Sequence, residues 1–178
     1  MDDAELNRCE EAICMYNEVV THFGNATEPV MREQVAMALF NKGNTLEWVN
    51  RPEEAIDAYS EIVKRFGNAT EPVLRELVGK ALVLKGKILD RLNLLEEATT
   101  LCDEIVARFG EATQFELREI VAIALVNKGA ILGRLDRPDE VIGVISEVTK
   151  RFGNATEPVL RELVALNLLN KGVALERL

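Results

Sequence analysis

Histidine is nearly absent from this chain: His22 is the only one. No serine or cysteine motif stands beside it, and no metal-ligand spacing surrounds it. It shares a register with Arg65, Arg108 and Arg151, so a basic residue in the last turn of a helix accounts for it. Three cysteines, Cys9, Cys14 and Cys102, form neither an even framework nor a metal-binding pattern, so reduced thiols are expected, with no metal and no cofactor. Aromatic residues make up only 5% of the chain, which leaves the core to Leu, Val, Ile and Ala. No apolar run is long enough to span a bilayer. The start, Met1-Asp2-Asp3-Ala4-Glu5, has neither the basic nor the apolar segment of an export signal, so a cytoplasmic location is expected. Basic residues are outnumbered 21 to 30, giving a formal charge of −9 that repels phosphate backbones and anionic lipid. Neither a nucleic acid nor a membrane surface is the expected partner. No strand signal and no linker occur.

What the chain has in abundance is itself. Phe66-Gly67-Asn68-Ala69-Thr70-Glu71-Pro72-Val73-Leu74-Arg75-Glu76 recurs almost letter for letter from Phe23, where Met31 replaces the leucine, and from Phe152, with a looser copy from Phe109. Gly24, Gly67, Gly110 and Gly153 are each 43 residues apart. A fixed period in this range marks a helical solenoid. Such an array binds more often than it catalyses.

Each period reads as a short helix and a long one. The first short helix, 8–22, places Ala12, Ile13, Tyr16, Val19 and Val20 on one stripe. Gly24 is expected to end it in a left-handed conformation. Thr27 or Asn25 is expected to cap the next helix, with Pro29 in its first turn. The other short helices are expected at 52–66, 95–109 and 138–152, and the long ones at about 28–49, 71–92, 113–135 and 156–177. The chain is therefore all-α, with eight helices: one at 8–22, pairs over about 28–66, 71–109 and 113–152, and a terminal helix over 156–177. These form a single domain over 1–178.

Gly43, Gly86, Gly129 and Gly172 share a register inside the long helices. Glycine there costs about 1 kcal/mol relative to alanine, so a close helix approach is expected, with each glycine facing Ala55 or its equivalent. Lys42, Lys85, Lys128 and Lys171 also recur, as do Glu18, Glu61, Glu104 and Glu147. Each lysine is expected to lay its stem on the core and reach a glutamate of the paired helix, the alternative being that the lysines line a ligand site.

The spacing Leu39-x2-Lys42-Gly43-x2-Leu46, then Ala55-x3-Tyr59, then Gly67, resembles the tetratricopeptide-repeat pattern over nearly the whole chain. It departs from the family in Leu39, Lys42 and Gly67, and in a period of 43. It looks like the variant with an elongated first helix known from bacterial multi-repeat proteins. The resemblance implies a right-handed α/α superhelix whose first helices line a concave, ligand-binding face. Carried over by register, that face holds Met37, Phe40, Asn44, Glu47 and Trp48, then Lys80, Val83, Lys87, Asp90 and Arg91. It continues through Ile123, Val126, Ala130, Gly133 and Arg134 to Leu166, Leu169, Val173, Glu176 and Arg177. Arg91, Arg134 and Arg177 form a basic rim beside an apolar band. That combination suits a protein or peptide partner that is acidic or carboxylate-bearing. Val83 and Val126 can equally be packing residues. Asn41 and Asn44 match the family's carboxylate clamp, but Phe40, Leu84 and Ile123 do not, so no chaperone-tail receptor is expected.

Nothing else carries chemistry. Glu10-Glu11, Glu53-Glu54 and Glu96-Glu97 fall at expected helix starts, where the dipole favours them. Asn25-Ala26-Thr27 and its copies match a glycosylation sequon but read as turns. The expected function is a non-enzymatic scaffold that binds a protein or peptide. The alternative is a structural module that assembles with itself. The chain opens on a short-type helix and closes on a long-type one, neither with a polar cap. Its two ends are expected to associate head-to-tail or by exchange, or to continue into a longer array.

Overall fold

A computed structural model describes residues 2–175. Among these there are eight α-helices and no strand. They are α1 (Asp3–Phe23), α2 (Pro29–Trp48), α3 (Pro52–Phe66), α4 (Pro72–Arg91), α5 (Leu95–Phe109), α6 (Phe115–Arg134), α7 (Pro138–Phe152) and α8 (Pro158–Leu175). Three short helices fall on the expected residues. α1 starts five residues early, because Asp2 caps it: its carboxylate accepts from the Glu5 amide at 2.7 Å. Glu10 and Glu11 are consequently mid-helix and not at a helix start.

All five prolines open a helix, where the missing amide is no loss. Neither Thr27 nor Asn25 caps α2. The capping position is Glu28, whose carboxylate folds back to accept from the Thr27 amide at 3.0 Å. Glu71 and Glu157 repeat this with Thr70 and Thr156.

The glycine expectation is also corrected. Gly24, Gly67, Gly110 and Gly153 are right-handed, with φ between −58° and −60°. The left-handed residues are in the other turn: Asn50, Asn93 and Asp136, at φ 59°, 61° and 55°. Each is followed by an amide that bonds five residues back, as Arg51 does to Leu46 O at 2.8 Å. This is the Schellman closure, with Asn or Asp tolerated where glycine is usual. The turn glycines serve space instead. A Cβ on Gly110 would lie 2.5 Å from Val106 O and 3.2 Å from Arg151 Nη1.

The chain divides into two compact units, Met1–Ile88 and Leu89–Leu178. In the first, α2 packs against both α1 and α3. Its core includes Val35, Leu39, Leu46, Tyr59 and Ile62, each buried. In the second, α6 packs against α5, α7 and α8. Covered on three sides, α6 is apolar nearly all round, with Leu117, Ile120, Val121, Leu125, Ile131 and Leu132 buried. α7 is covered less and buries one stripe, from Val141 to Phe152. Each large aliphatic side chain so buried stabilises the fold by roughly 1.5–3 kcal/mol relative to exposure.

Candidate binding surface

Within each compact unit the recurring residues tie one repeat to the next. Arg32 pairs with Glu71, and Arg118 with Glu157 at 2.6 Å. Arg32 also lies over the Phe66 ring, 5.9 Å from its centre. Arg65 donates to Gly24 O at 3.0 Å, and Arg151 to Gly110 O at 2.8 Å. Arg51 reaches Glu10 at 2.8 Å, and Arg137 reaches Glu96 at 3.2 Å. Two turn clefts, of about 460 and 140 Å³, are walled by equivalent residues such as Gly24, Arg32 and Arg65, and Gly110, Arg118 and Arg151. These are lattices of structural contacts.

The lysines do not reach the glutamates. Lys42 donates to Asn17 at 2.7 Å, Lys85 to Ser60 at 2.9 Å and Lys128 to Asp103 at 2.6 Å. Each acceptor lies one residue before the expected glutamate. Those glutamates are engaged within their own helices, where Glu61, Glu104 and Glu147 pair with Arg65, Arg108 and Arg151 four residues on. Helical side chains lean toward the amino terminus, so neighbouring positions are not interchangeable in reach.

The mid-helix glycine finds a different neighbour from the one expected. The Tyr59 ring, and not Ala55, lies nearest to Gly43; a Cβ there would sit 2.5 Å from the ring. The Tyr59 side chain is fully buried, and its hydroxyl donates to Asn44 Oδ1 at 2.7 Å. Burial pushes that hydroxyl well above its usual pKa, with Glu47 adding to the shift.

Within the first unit, the residues assigned to the concave face divide. Trp48 is 67% exposed and Met37 41% exposed. With Asn44 they lie on one stripe of α2. Phe40 is half-buried and packs against Tyr59, ring centres 6.0 Å apart. Lys80 is exposed and pairs with Glu76 on its own helix, and Lys87 is exposed. Val83 is buried and forms part of the core.

Within the second unit, Val126 is likewise buried and Ile123 half-buried. Arg91 is exposed. Arg134 is exposed but engaged, pairing with Asp90 and donating to Asn93 at 3.1 Å. On α8, Leu166, Leu169 and Val173 are exposed. Arg177 and Glu176 lie outside the described residues. A cleft of about 480 Å³ opens here, lined by Gly129, Ala130, Gly133, Arg134, Asn170 and Val173 among others. It was not legible in advance, although four of those six residues stand in the assigned face.

Two features escaped the sequence. Asn167 is fully buried where the other repeats place Ala38, Ala81 and Ala124. Its Oδ1 has no hydrogen-bond partner among the described residues, and its Nδ2 lies 3.5 Å from Ile145 O. Cys102 is buried, and burial first, then Asp103, pushes its thiol up to about 12 against an opposing Lys128.

Among the described residues no group of three or more His, Cys, Asp and Glu is placed to hold a metal ion. No helix there is long and apolar enough to cross a membrane. No family model, no curated protein and no solved structure matches the chain.

Proposed function

We propose that the chain is a non-enzymatic scaffold that binds a protein or peptide along the faces of its long helices. In this reading the helix pairs form a tetratricopeptide-like right-handed superhelix, and the variable residues of the long helices line its groove. The observation that carries it is Trp48, a large aromatic left 67% exposed on the same stripe as Met37. Aromatic and methionine side chains are the enriched anchors of binding surfaces. The α8 residues Leu166, Leu169 and Val173 offer a second apolar strip. A carboxylate-bearing partner would compete with Asp90 for Arg134, which makes that contact an exchange and not a new charge pair.

The test uses Trp48 fluorescence. Peptides alternating Leu or Phe with Asp or Glu, titrated into the chain, should shift the emission, and in capture on immobilised peptide Trp48→Phe with Met37→Ala should weaken binding by at least about tenfold, as loss of an anchor does. A peptide panel that leaves the emission unchanged, and equal capture by the double variant, would sink the reading.

A further inference from the structure

The terminal helices expose faces that their internal equivalents bury. On α8, Leu168 is 48% exposed, whereas Leu125, in the same register of α6, is 2% exposed. Leu175 is exposed where Leu132 is buried. On α1, Met15 and Phe23 are exposed where Val144 and Phe152 are buried. Tyr16 is half-buried where Tyr59 has no exposure at all. The glycine register is the most specific part. Tyr59 fits only because Gly43 lies opposite it, while Gly172, the last of that register, has nothing within 4 Å of its Cβ position. Tyr16 is the one other tyrosine in the sequence.

The charges continue the same way. Arg32 and Arg118 each pair with a glutamate 39 residues on. Arg161, next in that register, is exposed and has no ion-pair partner among the described residues. The glutamate that a further period would supply has its equivalent in Glu28. Arg51 and Arg137 each reach an acid 41 residues back. Arg8 stands in their register and Asp139 in that of their acceptors, and neither has a side-chain partner among the described residues. His22 stands where Arg65 and Arg151 donate to Gly24 O and Gly110 O, which puts Gly153 O opposite its ring N–H.

We infer that a second copy of this chain docks its α1 on α8, repeating the packing of α3 on α2 and of α7 on α6. The joint seats Tyr16 over Gly172, covers Leu168 and Leu175, and pairs Arg161 with Glu28 and Asp139 with Arg8. A second copy is the occupant because one offset of four periods, 172 residues, aligns the glycine–tyrosine fit and both charge pairs at once. The inference is independent of the peptide-binding reading.

Sedimentation velocity on the 178-residue chain from micromolar to submillimolar concentration tests it. The mean mass should rise above that of a monomer. Gly172→Phe fills an open surface and leaves the fold intact by circular dichroism, but should weaken association by at least about tenfold through overlap with Tyr16. Adding Tyr16→Ala should restore much of the loss. Arg161→Glu and Glu28→Arg, each alone, should associate less than the parent chain. An equimolar mixture of the two should associate better than either, since every joint between unlike chains pairs opposite charges. A monomer at all concentrations overturns the inference. So does association that ignores Gly172→Phe, or a mixture no tighter than its components. Should the phenylalanine variant unfold, the charge exchange decides alone.

Discussion

Gly43 and Tyr59 are fitted to each other: the ring occupies the space that a Cβ on Gly43 would need, and its hydroxyl is held by Asn44. The same register in the second unit is different. Gly129 meets Val144 at 3.7 Å and Asn167 at 3.8 Å, which is ordinary contact. Alanine should therefore separate the two sites. At Gly43 the overlap, typically about 1–3 kcal/mol, outweighs the gain in helix propensity of about 1 kcal/mol, and the chain should lose stability. At Gly129 the gain should prevail. Paired urea titrations of Gly43→Ala and Gly129→Ala check the opposite signs.

Asn167 should be a net cost to the fold. Its buried Oδ1 lacks a partner, and such a group typically costs about 1–3 kcal/mol. Asn167→Ala, matching the other three repeats, should raise the thermal midpoint. A variant less stable than the parent would mean that the amide holds a contact worth more than its desolvation.

The Glu157 carboxyl is held below the ordinary carboxylate range, first by its own backbone amide and then by the Arg118 guanidinium. A carboxyl depressed in the folded state favours folding above its unfolded pKa of about 4.3, and that contribution fades as pH falls through the folded value. Glu157→Gln should flatten the acid limb of the stability–pH curve and leave its neutral plateau less affected by acidification. Denaturant melts between neutral and acid pH report the slope. An unchanged limb would show that other carboxylates dominate it.

Thiol labelling should distinguish the cysteines. Cys14 is exposed and Cys9 half-buried, while Cys102 is buried with its thiol pushed up to about 12. Only thiolate reacts, so at mildly alkaline pH Cys14 should label first and Cys102 only on unfolding. Mass spectrometry of partly labelled native chain gives the order. Early labelling of Cys102 would place it in a segment that opens readily.

Punctuation made the helices readable. Proline at one end and Phe-Gly at the other bound 52–66 and 138–152 to the residue, and a periodic apolar stripe fills the space between. Reach was harder to read. The lysines miss the glutamates by one position, and spacing alone does not say which way a side chain leans. Val83 and Val126 share the period of an exposed face but are buried, because periodicity marks a side of a helix and not what covers it. Arg134 reads as a free cation until Asp90, 44 residues away, is seen beside it. Asn167 looks like a polar surface residue, and only burial shows that it replaces alanine in a core. The left-handed turn went to Asn and Asp because glycine is the stronger local signal, although here it answers crowding and not backbone conformation.

The arginine rungs have a consequence for how such a chain can change length. Arg32–Glu71 and Arg118–Glu157 span 39 residues, and Arg65–Gly24 and Arg151–Gly110 span 41. No rung reaches past the adjacent period. Excision of one whole 43-residue cassette leaves a severed arginine facing the equivalent acceptor of the next period, which is a carboxylate at Glu71 and Glu157 and a neutral amide at Gln114, and a duplicated cassette inserts on the same terms. The near-identical stretch is then a splice-tolerant seam. It lets the array grow or shrink by whole periods while the exposed residues between the seams vary from one repeat to the next.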